Sequence, residues 1–113
     1  MMYKQALVMA CALASMAGCA SKIENPTDYL TFRNQPLVEE VEPGMSRQQV
    51  LIIGGRPSSV VQRSVHPGSC NNYILNEEGH QQPYHISFDS SGRVRHKGFM
   101  TCGQREQAER DQL

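Results

Sequence analysis

The chain has 113 residues, 39% of them hydrophobic and 19% charged, with four cysteines, no tryptophan and eleven basic against eleven acidic side chains. That length bounds it to about one domain, which excludes multidomain enzymes and polytopic membrane proteins. The even charge balance lacks the basic stripe of a nucleic-acid binder, so no nucleic-acid partner is expected. The average conceals a split, because 14 of the hydrophobic residues fall in the first 18 positions.

Residues 1–19 read MMYKQALVMACALASMAGC, with one early cation at Lys4, an apolar stretch from Ala6 to Ala14, and small residues before Cys19. This order is that of a secretory signal, and the apolar stretch is too short to span a bilayer as a stable helix. Met16-Ala17-Gly18-Cys19 resembles the lipobox of bacterial lipoproteins, with Met16 where leucine is commonest. The resemblance implies a signal peptide over residues 1–18, diacylation of the Cys19 sulfur and acylation of the new amino terminus. Two or more acyl chains hold a protein on a membrane where one does not. Under the lipoprotein sorting rule, Ala20 in place of aspartate favours the outer membrane, with the domain facing the periplasm. No cofactor is expected beyond that covalent lipid. Cys11 lies inside the apolar stretch and is read as part of the signal.

Residues 19–35 read as the acylated cysteine and a polar tether, with Tyr29, Leu30 and Phe32 available to dock on the domain. Leu37, Val38 and Val41 fit one face of a short helix begun by Pro36 and stopped by Pro43-Gly44, or equally a short strand. Ser46 with Gln49 forms a capping-box pattern that predicts a helix over about 46–54. Val50, Leu51 and Ile53 would give it a buried face, and Gly54-Gly55 followed by Arg56-Pro57 would end it.

Beyond Pro57 the pattern turns to β. Val60, Val61 and Val65 form a short extended piece, His66 to Ser69 a turn, and Asn72 to Leu75 a strand. Tyr84, Ile86 and Phe88 alternate strictly with His85 and Ser87. Asp89-Ser90-Ser91-Gly92 is a hairpin turn leading to a last strand over about 93–101. The expected fold is therefore α+β in two layers, one or two short helices packed on a three-stranded antiparallel meander. Residues 36–103 make the domain and 104–113 a polar tail.

In this order the elements resemble the SmpA/OmlA, or BamE-like, domain of small outer-membrane lipoproteins. The resemblance rests on Gly44-Met45-Ser46 with Val50, Gly55-Arg56-Pro57, Phe88-Asp89, and Ser91-Gly92 with Val94. It is closest to an osmotically induced branch, through Arg47, Pro57-Ser58-Ser59, Gly68 with Cys70, Tyr73-Ile74-Leu75 and Thr101-Cys102. It implies an outer-membrane lipoprotein raised by osmotic stress and does not imply an enzyme. The family's contact motifs cannot be matched residue by residue, so the ligand-binding residues stay unknown.

With Cys11 removed and Cys19 acylated, Cys70 and Cys102 remain, and in an exported domain an even remainder suggests one disulfide. The meander sets an obstacle, since Cys70 opening the first strand and Cys102 following the third would lie at opposite ends of the sheet. Either the tail folds back or the strand ends differ. His66, His80, His85 and His96 form no close metal pair, so no metal is expected. His85 and His96 both lie beside the 89–92 turn, where a cross-strand pair could form, but the favoured reading is solvated histidines on the polar β face. A cysteine nucleophile with a histidine base lacks any recognisable signature, and a disulfide would abolish it. Gly54-Gly55 follows a helix instead of preceding one, so it is no phosphate loop.

The leading function is thus a non-catalytic structural or interaction role in envelope integrity or outer-membrane assembly, with membrane lipid through Cys19 and an envelope protein as partners. The alternative is a periplasmic glycan or peptidoglycan module stacking sugars on Tyr73, Tyr84 and Phe99. A homo-oligomer through an exposed sheet edge is a further possible arrangement.

Overall fold

The structure is a computed structural model and describes residues 26–113. The signal segment 1–18, Cys19 and the first part of the tether lie outside the described residues. Three short helices come first, α1 (Pro26–Phe32), α2 (Pro36–Glu39) and α3 (Arg47–Gly54). Strands β1 (Ser59–Gln62), β2 (Ser69–Glu77), β3 (His80–Phe88) and β4 (Val94–Gly98) follow, and then helix α4 (Cys102–Asp111). The strands form one antiparallel sheet in chain order. The α+β class stands as expected, with a fourth strand where the sequence suggested only an extended piece.

The helix starts follow local chemistry. Ser46 Oγ accepts the Gln49 N–H at 3.2 Å and Gln49 Oε1 accepts the Ser46 N–H at 2.8 Å, the reciprocal pair of a capping box. Pro36 opens α2, which resolves residues 36–39 as helix. Phe32 from the tether is buried, while Tyr29 and Leu30 are exposed. Of the face expected for α3, Val50 is fully buried and Ile53 partly so, but Leu51 is exposed. Val50, Ile53 and Gly54 lie at i, i+3 and i+4 on one face, with Gly54 so close to Leu37 that a Cβ there would overlap it, and Leu51, one residue on from Val50, falls off that face.

The front face of the sheet carries the apolar core, in which Tyr73, Leu75, Tyr84, Ile86, Phe88 and Val94 meet Phe32, Leu37, Val38, Val41 and Val50. Two contacts tie the helical layer to the sheet. The Tyr73 hydroxyl donates to the Gly55 carbonyl at 3.0 Å, and Lys97 Nζ donates to the carbonyls of Val38 and Val41 at 2.7 and 2.6 Å. The last two are carbonyls at and just beyond the end of α2, which have few partners within so short a helix.

The back face corrects the sequence reading most. Strand β4 ends at Gly98, and the chain turns back so that α4 lies across β2 and β3. The polar tail expected over 104–113 is therefore helical as far as Asp111, and it adds a third layer. This return removes the obstacle to the disulfide. Cys70 and Cys102 are bonded with their Cα atoms 5.9 Å apart, and the Cys102 N–H donates to Asn72 Oδ1 at 2.8 Å. Thr101 caps α4 through a second capping box with Gln104.

Closing a loop of 32 residues restricts the unfolded chain by about 3 to 4 kcal/mol. Cys102→Ala should lower the unfolding free energy by about that amount, read from the urea midpoint, and reduction of the wild type should reproduce the loss. Equal midpoints for oxidised and reduced protein would refute it.

Candidate functional site

The polar side chains of the back face converge under and beside α4. Arg63, just after β1, has a side chain only 5% exposed. Its Nη1 donates to the Phe88 carbonyl at 3.0 Å and its Nη2 to Glu109 Oε2 at 2.9 Å, so one guanidinium links the β1–β2 loop, β3 and α4. Glu106, one helical turn earlier, accepts from the Ser64 N–H at 2.9 Å, the Ser64 hydroxyl at 2.6 Å and the Val65 N–H at 3.2 Å. Burial pushes the Glu106 carboxyl up, but these donors and the Arg63 charge outweigh it and hold the group below its ordinary value. The loop bends there on Gly68 (φ +130°), where a Cβ would overlap the Phe88 carbonyl that Arg63 also uses.

The two central histidines pair as the sequence allowed, but not in water. His85 is fully buried beneath α4, and its ring stacks on His96 with centroids 5.1 Å apart. His85 Nδ1 lies 3.1 Å from the Gly98 carbonyl, which only accepts, so Nδ1 carries the proton. Burial, with the nearby His96 and Arg105 charges, pushes His85 down to about 3, leaving it neutral at pH 7. Its bare Nε2 therefore accepts from His96 Nδ1 at 2.9 Å. Burial and the Arg105 charge also lower His96. Its neutral ring then keeps a bare Nε2, which has no protein partner among the described residues.

His66 Nε2 lies 3.3 Å from Glu109 Oε2, and His80 is exposed on the distant β2–β3 turn. Arg63, His66, Asp89, Arg95, His96, Arg105 and Glu109 line a cleft of about 480 Å³ between α4 and the β3–β4 turn. Among the described residues, no group of three or more His, Cys, Asp or Glu is placed to hold a metal ion. Tyr73 and Tyr84 are buried in the front core, and Phe99 packs edge-on against Tyr84 at 4.9 Å, so none of the three offers a face for sugar stacking. Both thiols are consumed in the disulfide, which leaves no cysteine nucleophile on the described domain.

Arg63, Arg105, Glu106 and Glu109 were not singled out by sequence reasoning. One legible signal was passed over: Thr101-Cys102-Gly103-Gln104 repeats the cap pattern used at Ser46 and predicts a helix start. Once that helix is drawn, Glu106 and Glu109 fall three residues apart on one face.

Short helices before a four-stranded antiparallel sheet, closed on the back by a disulfide-held polar helix, define a small α+β domain of the BamE-like fold. The model of the outer membrane protein assembly factor BamE domain matches residues 31–98, and the chain belongs to that family. It is 35% identical over 99 residues to the osmotically inducible lipoprotein OsmE of Escherichia coli K12, covering 87% of this chain and 85% of that protein. The OsmE of Escherichia coli O157:H7 matches equally. A crystal structure of an osmotically inducible OsmE lipoprotein superposes with a TM-score of 0.73 at 56% identity, covering 77% of this chain and all of that one.

Two predictions follow from the buried charges. Arg63→Met leaves Glu109 short of its closest cation and should cost about 3 to 5 kcal/mol, whereas Arg63→Met with Glu109→Met should recover much of the loss, by urea unfolding. For pH, the unfolded His85 takes a proton near 6.5 while the folded one resists until about 3. Its contribution is complete above pH 6.5 and declines as pH falls toward 3, by up to about 1.4 kcal/mol per unit. Glu106, held low in the fold, acts in the same direction at lower pH. His85→Gln should flatten the upper part of that slope, and an unchanged slope would contradict the assignment.

Proposed function

We propose that this chain is an outer-membrane lipoprotein, anchored through acylated Cys19 with its domain in the periplasm, and that it serves envelope integrity or outer-membrane assembly under osmotic stress by contact and not by catalysis. The match to the BamE domain over residues 31–98 carries this reading. The osmotic association rests on the relatives' name and on 35% identity across most of both chains. Physical features support a contact role. Arg63 and Glu109 are ion-paired, His85 and His96 are hydrogen-bonded to each other, and the thiols of Cys70 and Cys102 are spent on a structural bond. The free edge of β1 is short, uncharged and exposed, with Val60 57% accessible, and offers the backbone of a sheet edge to a partner strand.

The test is made in cells producing the full chain. Cys19→Ser should move the protein from the outer-membrane fraction to the soluble periplasm, and mass spectrometry of the wild type should find an acylated amino-terminal Cys19. Deletion should weaken the outer-membrane barrier at high salt, with Cys19→Ser failing to restore it. A wild-type protein that fractionates as soluble, or a deletion with an intact barrier at high salt, would overturn the proposal.

A further inference from the structure

The cleft beside α4 has an unusual balance of unmet hydrogen-bonding capacity. Three guanidinium groups, Arg63, Arg95 and Arg105, face two carboxylates, Asp89 and Glu109, a net excess of one positive charge. The carboxylates are already engaged. Asp89 Oδ1 accepts from the Ser91 N–H, the Ser91 hydroxyl and the Arg93 N–H, and Glu109 Oε2 accepts from Arg63. Two of the cations are less fully engaged. The exposed Arg95 side chain acts on the Asp89 charge but makes no hydrogen bond among the described residues, and Arg105 reaches Glu109 only through Nε, at 3.7 Å. Its two terminal nitrogens remain as donors.

Against these donors stands one acceptor that a ligand can reach. The tautomer chain from the Gly98 carbonyl through His85 leaves Nε2 of His96, a cleft-lining residue, bare, whereas Glu109 Oε1, on a carboxylate only 3% exposed, is sealed from solvent. A matching ligand must offer several anionic oxygens to two arginine forks and also one proton to an acceptor. A carboxylate or a sulfate supplies the oxygens without the proton at neutral pH. A phosphodiester likewise has none to give. A phosphate with a free terminal group supplies both, because its second ionisation lies near pH 6, close to that of an imidazole.

We propose that this cleft binds a terminal phosphate group, with Arg95 and Arg105 donating to its oxygens and His96 Nε2 sharing its remaining proton. Guanidinium forks suit tetrahedral oxyanions. The His85–His96 stack fixes the direction of the acceptor, and the disulfide fixes the helix that carries Arg105. The source is either a soluble phosphate or the head group of a phosphomonoester lipid.

The test is calorimetric titration of the full lipidated chain in detergent at about pH 6.5, where a terminal phosphate is partly protonated. Inorganic phosphate is compared with sulfate at matched ionic strength. Phosphate should bind saturably and at least about tenfold more tightly than sulfate. Arg95→Ala and Arg105→Gln should each weaken phosphate by about tenfold or more. His96→Phe, which keeps the ring stack, should abolish the preference for phosphate over sulfate. Because the Arg95 side chain is exposed and hydrogen-bonds to no described residue, unchanged melting of Arg95→Ala separates lost binding from lost structure. Vesicles of phosphatidylcholine with phosphatidic acid or with phosphatidylglycerol distinguish the sources. Recruitment to phosphatidic acid that free phosphate competes away assigns a lipid head group, and saturable free phosphate without vesicle preference assigns a soluble ligand. Equal affinity for phosphate and sulfate, an Arg95→Ala protein that binds as wild type, or no saturable binding of phosphate would refute the proposal.

Discussion

Helix α4 is bound to the sheet by a covalent bond because it has almost nothing apolar to bury. Between Cys102 and Asp111 its only other apolar side chain is Ala108, and the rest are glycine, glutamine and charged residues. Hydrophobic burial, the usual force that docks a helix, is therefore nearly absent on the back face. The Cys70–Cys102 bond substitutes for it, setting the start of the helix against β2, and the capping box at Thr101 sets its direction. Everything further along the helix depends on that placement. Glu106 and Glu109 reach the 63–66 loop only because the bond brings the first turn down onto the sheet.

The consequence is a domain with two unlike halves. The front is a small apolar core in which side chains from three helices meet the sheet. The back is a polar interior, in which Arg63, His85, Glu106 and Glu109 are nearly or wholly withdrawn from water. Such groups stabilise little on net, since desolvation offsets most of their attraction, but each becomes costly to leave alone. That asymmetry makes the back face an all-or-none arrangement. Its charges specify one position of α4, and a displaced helix would strand several of them at once. A cleft with fixed donors and acceptors is a by-product of that rigidity, and preorganised groups of this kind are what a small ligand site requires.

The front half was largely legible in the sequence, and the reason is periodicity. The alternation of Tyr84, Ile86 and Phe88, the cap at Ser46 and the turn at Asp89 are local signals tied to a repeat of two or of 3.6 residues. Where the pattern was weaker the reading was coarser. Leu51 reads with Val50 and Ile53 as one buried face but lies exposed, because the Val50–Ile53–Gly54 face that meets Leu37 leaves position 51 about 100° off it. The back half was legible only in its cysteines. A helix without an apolar stripe looks like a solvated tail, and His85, alternating with core residues, looks like a solvated histidine until something covers it. Even the disulfide looked geometrically awkward, since the turn-back after Gly98 is decided by what α4 contacts and not by its own composition.

The short motifs that tie the chain to its family are scattered in sequence but joined in space. Gly44-Met45-Ser46 and Ser91-Gly92 with Val94 lie almost fifty residues apart, yet the Gly44 N–H donates to the Val94 carbonyl at 2.9 Å and the Val94 N–H to the Met45 carbonyl at 2.7 Å. Ser46 bridges to Arg93, and the Arg47 side chain covers Gly92 so closely that a Cβ there would sit 3.2 Å from its Nε. The other pair of motifs meets likewise, as Gly55 accepts from Tyr73 and Gly68 abuts the Phe88 carbonyl. Each of these junctions meets backbone on at least one side, and glycine recurs at them because a Cβ would collide or its positive φ would be strained. They fix how the helical layer and the β1–β2 loop meet the sheet without specifying any surface. The frame therefore leaves the exposed chemistry to other residues, and on the back face that chemistry is the arginine-lined cleft, with Arg63, Arg95 and Arg105 in its wall and the disulfide-held helix closing one side.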